Sequence, residues 1–598
     1  MIVYNREVDR TNRSDGIREM RNYIIMSWEQ TYERWLTHEA LDSALKAELL
    51  ALNEEERKEA FHTSLSFGTA GMRGVLGVGT NRMNIYTIRK ANEGFGQYIV
   101  SHGAEAMARG IVIAYDSRLC SREFAEESAR MMASKGIMTY LFENLRPTPE
   151  LSFAVRYLHA FAGIVITASH NPAQYNGYKI YNETGAQVIP DEADKVSAAV
   201  AAVPDELMLT TDSLESYIDA GLIKIIGEEI DEPYNRAVVA TSFASVPKAE
   251  IKVVYTALHG TGYAPVSRAF AYLGYEHVHY VEAQCKPDAH FTTAPSPNPE
   301  LHEVFDLAIK LGNEVAADIL LATDPDADRL GVAVKTTDSE YELLDGNTTG
   351  ALMTYYILEQ LQIQGELPAN GVLFTTVVTS DFAEKIADAY GVVTERTLTG
   401  FKFIGDRIAA YETTGEKSFL FGFEESYGSL VNAHIARDKD AVQAVVILTE
   451  MAAYYKKQGK TLLDVLAMLQ QKFGFFKDGL ENINLSGIAG AAKIELLMSH
   501  VGSRPFTEMA GQPVTKFENY QTQTRYIASG QEETIMLPQS DVLKFYLADG
   551  SWFVLRPSGT EPKAKVYIAV RGSTSTEADA KLATLTADIM TAVAKILA

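Results

Sequence analysis

Six short apolar runs, at residues 111–115, 164–167, 251–255, 319–322, 372–378 and 419–423, are rich in Ile, Val, Leu and Phe and too short to be helices. Each stops at a polar loop, and stretches with helical spacing lie between them, at 121–135, 264–273, 299–311, 345–364 and 381–390. Strands alternating with helices predict sheets covered on both faces, an α/β layer architecture. The grammar recurs at least three times, so similar modules in tandem are expected. The end of the chain reads differently. Residues 552–556 and 565–570 resemble strands, and 576–597 a closing helix with Leu582, Leu585, Ile589 and Val593 on one face. Thr574 and Glu577 stand at capping-box spacing before it, and the whole predicts a smaller α+β domain.

At 598 residues the chain has room for about four domains. A shift in composition near 203–213, the turn after Ala322 and the Gly/Ala/Ser-rich stretch 487–515 place the expected domains at 26–210, 211–322, 323–490 and 491–598. Residues 1–25 are polar, mixed in charge and weakly periodic, and are expected to form a disordered extension, with Met26 a candidate native start. A formal charge of −24 argues against nucleic acid as partner, because phosphate neutralisation needs a basic surface. It leaves room for an anionic small substrate held by a local cluster of Arg and Lys. Cys120 and Cys285 form neither a disulfide framework nor a metal motif, which suits a reducing, cytoplasmic compartment. No apolar run approaches the roughly 18 residues of a membrane span, and no secretory leader pattern precedes the first helix, so no membrane partner is expected.

Four loops carry the chemistry. Asp324-Pro325-Asp326-Ala327-Asp328-Arg329 follows a buried-looking strand and sets three carboxylates at alternate positions, an all-oxygen donor set that suits a hard cation such as Mg²⁺. The glycine and distal glutamate of an EF-hand are missing. Arg556-Pro557-Ser558-Gly559-Thr560-Glu561-Pro562-Lys563 joins a guanidinium fork, two hydroxyls and a Gly-centred turn, the ingredients of a phosphate cradle. Phe423-Glu424-Glu425-Ser426 offers carboxylates and a hydroxyl to the diols of a sugar. Thr167-Ala168-Ser169-His170-Asn171-Pro172 presents a serine where a strand ends, without the flanking glycines of a hydrolase elbow. On extended backbone His170 points away from its neighbour, so it is not expected to be the base of Ser169. Ser169 is better placed as a phosphoryl acceptor, opposite the metal of the Asp loop. Ser169, the Asp triplet and Glu424 all lie beyond the carboxyl ends of strands, where ligands of open α/β sheets gather. Gly68-Thr69-Ala70-Gly71-Met72-Arg73-Gly74 and Thr399-Gly400-Phe401-Lys402 are Gly-rich loops with one cation each, and Gly459-Lys460-Thr461 lacks the spacing of a P-loop.

This ordered set resembles the α-D-phosphohexomutase superfamily, and most closely its phosphoglucomutase/phosphopentomutase branch, from about Trp28 to the end. The motifs are TASHNP (167–172), DPDADR (324–329), FEES (423–426) and RPSGTEPK (556–563), with GTAGMRG and TGFK between and before them. The resemblance implies three related α/β/α sandwich domains and a C-terminal α+β domain like the TATA-binding-protein fold, around a central cleft. It implies a phosphorylated Ser169, Mg²⁺ on Ser169, Asp324, Asp326 and Asp328, and Arg73, His170 and Lys179 in acid/base work or charge stabilisation. Sugar phosphate would be read by Arg329, Thr399, Gly400, Lys402, Glu424 and Ser426, and its distal phosphate held by Arg556, Ser558, Gly559 and Thr560. The implied reaction interconverts α-D-glucose 1-phosphate and 6-phosphate through glucose 1,6-bisphosphate, in a monomer or weak homodimer. Many glucose-specific members have Gly where this chain has Phe423, and Ser426 rather than Met favours gluco sugars. Pentose phosphates and bisphosphate synthesis remain the alternatives. A noncatalytic sugar-phosphate-binding protein on this fold would not need Ser169, all three Asp and Lys179.

Overall fold

The computed structural model describes residues 27–66, 71–243, 245–336, 340–485, 487–558 and 563–598. The expected extension 1–25, the segment 68–70 of the first Gly-rich loop, and Gly559 and Thr560 lie outside the described residues.

Four sheets follow one another along the chain. The first holds β1 (Gly71–Val75), β2 (Ile111–Tyr115), β3 (Thr139–Phe142), β4 (Ala162–Ile166), β5 (Tyr175–Asn182) and β6 (Ile223–Ile226), in the order β1-β5-β4-β2-β3-β6. β4, β2, β3 and β6 run parallel, β5 is antiparallel to β4, and β1 is antiparallel to β5. The second has β7 (Lys252–Thr256), β8 (His277–Tyr280), β9 (Ile319–Thr323), β10 (Leu330–Lys335) and β11 (Tyr341–Leu344), ordered β11-β10-β9-β7-β8, with β9, β7 and β8 parallel. In the third, β12 (Gly371–Thr376), β13 (Val393–Thr397), β14 (Ser418–Phe423) and β15 (Ser429–Leu430) lie in the order β13-β12-β14-β15, the last strand antiparallel. The fourth sheet contains β16 (Phe475–Asn484), β17 (Glu508–Met509), β18 (Gln512–Asn519), β19 (Thr524–Ile527), β20 (Glu532–Thr534), β21 (Leu543–Leu547), β22 (Trp552–Pro557) and β23 (Lys563–Gly572). Its ladder is antiparallel, and the helix Ser575–Leu597 lies on it through Leu585, Ile589 and Val593. Three α/β modules and an α+β tail are therefore present, as expected. At the start of that last helix only half of a capping box forms. Thr574 accepts from the Glu577 amide, while the Glu577 carboxylate turns to the amide of Ser573.

The core explains why the strands read as unbroken apolar runs. Along β2, Ile111 and Ile113 pack with Ile88, Phe95, Phe124 and Met132 of the helices Ile85–Ser101 and Ser121–Ala133. Val112 and Ala114 face the other way, into a core that also holds Leu321 of β9 and Phe421 of β14. Strands buried on both faces need no polar alternation. That second core is shared by three modules, and the helix Ala441–Lys456, buried almost all round, runs through it.

The sheets move the expected boundaries. β6 belongs to the first sheet although it lies beyond 210, β10 and β11 complete the second beyond 322, and β16 opens the fourth before 490. A strand's sheet is decided by long-range pairing, which leaves no mark on local composition.

One feature of each module places its loop. β4, β9 and β14 are parallel strands each followed by an antiparallel return strand, β5, β10 and β15, so the loops 167–174, 324–329 and 424–428 are hairpin connections. The Asp loop is further buttressed from the turn after β7. The Thr261 amide and hydroxyl both donate to the Pro325 carbonyl, at 2.8 and 2.9 Å. A methyl on Gly260 would stand 2.3 Å from the Pro325 Cα. Backbone cannot swing aside as a flexible side chain does, so Gly260→Ala should destabilise the protein by about 1–3 kcal/mol, read as a lower urea midpoint at unchanged slope.

Candidate active site

Ser169 sits at the bottom of its loop with φ 53°, in the left-handed region. Its amide donates to Thr167 Oγ1 at 2.8 Å, and that hydroxyl donates to the buried Asp116 at 2.6 Å. The left-handed turn overturns one expectation. On extended backbone His170 would point away, but here its Nδ1 lies 3.1 Å from Ser169 Oγ. Burial, helped by Arg329 and Arg73, pushes the His170 imidazole well below its usual value, which favours its neutral form. Ser169 Oγ donates to Asp324 Oδ2 at 2.7 Å, which joins the first module to the second.

Asp324, Asp326 and Asp328 are fully buried and offer oxygens within 4.8 Å of one another. Asp324 Oδ1 accepts the amides of Asp328 and Arg329, which folds the loop back on itself. Thr148, at the start of the helix Thr148–Tyr157, donates its hydroxyl to Asp326 Oδ2 and its amide to the Asp326 carbonyl, both at 2.9 Å. Two lysines reach in from other modules. Lys179 on β5 lies 2.8 Å from Asp326 and 3.5 Å from Asp328, and Lys439 lies 2.8 Å from Asp328. Burial works against the Lys179 charge, yet Asp326 and Asp328 raise its pKa. Asp328 stays below the usual carboxylate range because Lys439, Lys179 and Arg329 outweigh its burial. Asp324 goes the other way, pushed well up by burial and by Asp326 and Asp328. Asp326 Oδ1 and Asp328 Oδ1 are buried and accept no hydrogen bond among the described residues.

Arg73, on β1, donates to Asn171 Oδ1 at 3.2 Å and so borders the serine loop. Arg329 ties the Asp loop to its surroundings, pairing with Glu300 at 2.8 Å and bridging to Gly428 at the end of the loop 424–428. Glu424 Oε1 accepts the Gly400 amide at 2.8 Å, bringing the FEES and TGFK loops together. Thr399 precedes that glycine, and Lys402, in the first turn of the helix Phe401–Thr414, is pushed down to about 8 by burial. Ser426 is half-buried in the same turn as Glu424. Glu425 is committed inward, accepting from Thr376 and Thr379 at 3.3 and 3.2 Å. Arg556, the last residue but one of β22, stands opposite Lys565, and the Ser558 amide donates to the Lys563 carbonyl at 2.7 Å, closing the described part of the fourth loop.

Sequence reading missed Asp116, Arg118, Thr148 and Lys439. Asp116 and Arg118 directly follow the apolar run 111–115, a position that in the other modules carries chemistry, and this was the available signal. Nothing local marks Thr148 or Lys439, which matter only through contacts far along the chain.

Family models of the phosphoglucomutase/phosphomannomutase α/β/α domains I, II and III match residues 64–206, 232–337 and 345–473, and that of the C-terminal domain matches 508–587. The chain belongs to this family. A Staphylococcus epidermidis phosphoglucomutase is 39% identical over 517 residues, 86% of this chain and 92% of that protein. The phosphoglucomutase of Staphylococcus aureus MRSA252 is 38% identical over 541 residues, 90% and 95% of the two chains. Among solved structures, a Burkholderia thailandensis phosphoglucomutase/phosphomannomutase family protein shares the fold with TM-score 0.63 at 19% identity, covering 89% of this chain and 98% of its own. Parafusin, a Paramecium phosphoglucomutase in its open form, does so with TM-score 0.64 at 18% identity, over 90% and 95%. Membership places the chain among intramolecular phosphotransferases, enzymes of the isomerase class. No helix among the described residues is long and apolar enough to cross a membrane.

One carboxyl of the FEES loop has a consequence for stability. Burial and the neighbouring Glu424 raise Glu425 to about 7. With the folded value above the unfolded one, the unfolded chain gives up its proton first, so this group's contribution is full below about 4 and is lost as pH rises through 7. Glu425→Gln should therefore raise the melting temperature relative to wild type at pH 8, by on the order of 3 kcal/mol of stability, and leave it nearly unchanged at pH 4.

Proposed function

We propose that the chain is a phosphoglucomutase that interconverts α-D-glucose 1-phosphate and α-D-glucose 6-phosphate through phospho-Ser169 and a glucose 1,6-bisphosphate intermediate. The observation that carries this reading is a buried serine hydroxyl, on left-handed backbone, hydrogen-bonded to the first of three clustered carboxylates. The staphylococcal phosphoglucomutases support glucose as the sugar.

The donor set fits Mg²⁺. All its atoms are oxygens, two of them are buried without a hydrogen bond among the described residues, and a third carboxylate is pushed up by its like-charged neighbours. Asp324, Asp326, Asp328 and the phosphoryl group of Ser169 would hold it. When bound, the ion neutralises charge on the transferring phosphoryl group.

In the first transfer the bond from phosphorus to Ser169 Oγ breaks and a bond to the free sugar hydroxyl forms. The hydroxyl proton passes to a base of the site, and Oγ is reprotonated. The bisphosphate turns end for end, and Ser169 Oγ takes back the other phosphoryl group. His170, neutral and 3.1 Å away, is placed to exchange the serine proton. Lys179 and Arg73 supply positive charge beside the transfer, where positioning and electrostatics dominate. Glu424, anchored to Gly400, keeps one oxygen for sugar hydroxyls, beside Ser426 and with Thr399, Lys402 and Arg329 around it. Arg556 and Ser558, with Gly559 and Thr560, would hold the phosphate that does not react. Such a clamp serves both orientations of the sugar, which a one-step kinase would not require.

Ser169→Ala should abolish turnover while the protein still folds. With wild type, kcat/KM should rank glucose 1-phosphate above mannose 1-phosphate and ribose 1-phosphate, and a ribose preference would move the reading to a phosphopentomutase. Asp326→Asn should weaken Mg²⁺ affinity in a direct binding titration as well as activity, whereas an unchanged titration would remove Asp326 from the metal site.

A further inference from the structure

We infer that Arg118, seated on Phe291 of the second module, is the positioning residue that fixes where Ser169 Oγ stands relative to Asp324. This deepens the phosphoserine reading and rests on it.

A left-handed serine has to be held in place, since sterics disfavour φ > 0 for a residue with a Cβ. The holding group is one side chain. Arg118 Nη1 donates to the carbonyls of Pro172 at 3.0 Å and Tyr175 at 3.2 Å, while Nη2 donates to those of Ser169 and Asn171. Three carbonyls of the serine loop and that of Tyr175, the first residue of β5, thus converge on a single guanidinium. With their negative ends committed to Arg118, they are not free to face a serine that is to carry an anionic group. Lysine has no equivalent, because a point ammonium on a flexible stem cannot present a rigid planar fork.

A buried cation must also be compensated. Arg118 is 3% exposed, and its Nε lies 3.2 Å from Asp116 Oδ2, the carboxylate that also accepts from Thr167 beneath the Ser169 amide. Both arms of the serine loop therefore end on the Asp116–Arg118 pair. On its open side the guanidinium carbon sits 4.8 Å from the centre of the Phe291 ring, close enough for a cation–π contact. Phe291 is fully buried and comes from the segment between β8 and β9, where Asp288 braces it by accepting the amides of His290 and Thr292. Through this contact the serine loop is registered against the same module that presents Asp324. The residues placed on sugar and distal phosphate lie on other loops, so loss of register should act on phosphoryl transfer and leave substrate binding nearly intact.

The test uses full-length wild type, Arg118→Lys and Phe291→Leu, each first dephosphorylated and checked for folding by circular dichroism and melting temperature. Incorporation of a phosphoryl group from glucose 1,6-bisphosphate is followed by intact mass, and kcat and KM are measured for glucose 1-phosphate. Arg118→Lys keeps the charge and should still lower kcat and the incorporation rate together, on the order of 10²-fold, the scale of a misplaced reacting group, with KM within about twofold. Phe291→Leu should give a smaller loss of the same kind. If Arg118→Lys does not fold, Phe291→Leu decides by the same two readouts. Folded variants that incorporate phosphoryl at the wild-type rate, or that raise KM at unchanged kcat, overturn the assignment while the phosphoserine reading stands. A wild type that never acquires the group brings down both.

Discussion

Three carboxylates buried within 4.8 Å of one another are the constraint around which the molecule is arranged. At such separations each pair of charges repels by roughly 3–4 kcal/mol for an effective dielectric constant near 20. Repulsion of that size, three times over, is comparable with the net stability of a domain, so it cannot stand uncompensated. The compensation comes from far along the chain. Lys179 arrives from the first sheet, Lys439 from the segment leading into the central helix, and Arg329 from the Asp loop itself. No single module supplies enough positive charge, which is a physical reason for the modules to be packed into one shared core.

The fold answers a second demand, that loops from three modules be rigid where they meet. A connection from a strand into a helix can adjust its length and direction. A hairpin connection between paired strands cannot, because the ladder on both sides fixes its ends. In all three α/β modules the chemical loop is of the second kind, closed by Ile166 opposite Tyr178, Thr323 opposite Leu330 and Phe423 opposite Ser429. The Asp loop carries the densest charge. Its clamp through Thr261 and the absence of a side chain at Gly260 then read as one device, holding the backbone of Pro325 while its neighbours repel.

Much of this was legible in the sequence, and the division follows the range of the interactions. Strands and helices are set by local apolar pattern, and β2 and the helix ending at Gln364 fall where that pattern puts them. The Asp triplet was legible because its spacing is itself the signal. The sheet to which β6, β10 or β16 belongs was not, since pairing is decided elsewhere in the chain. Nor was the direction of His170. Adjacent side chains point apart along a strand, but Ser169 has left the strand, and a single left-handed residue turns two adjacent side chains toward each other. Lys439 and Thr148 show the same limit, for each earns its place only by a contact with a residue more than a hundred positions away.

The two adjacent glutamates of the sugar loop show how such a site separates holding from reading. Glu425 gives its carboxylate to Thr376 and Thr379, groups of its own module, and is raised to about 7 by burial and by Glu424. Glu424 spends one oxygen on the Gly400 amide and keeps the other. A substrate that binds in two opposed orientations needs contacts that are stiff yet indifferent to which end of the sugar is presented. In the proposed function Glu424, anchored through one oxygen to Gly400, would meet that requirement, while Glu425 ties the same turn to Thr376 and Thr379 through Oε2.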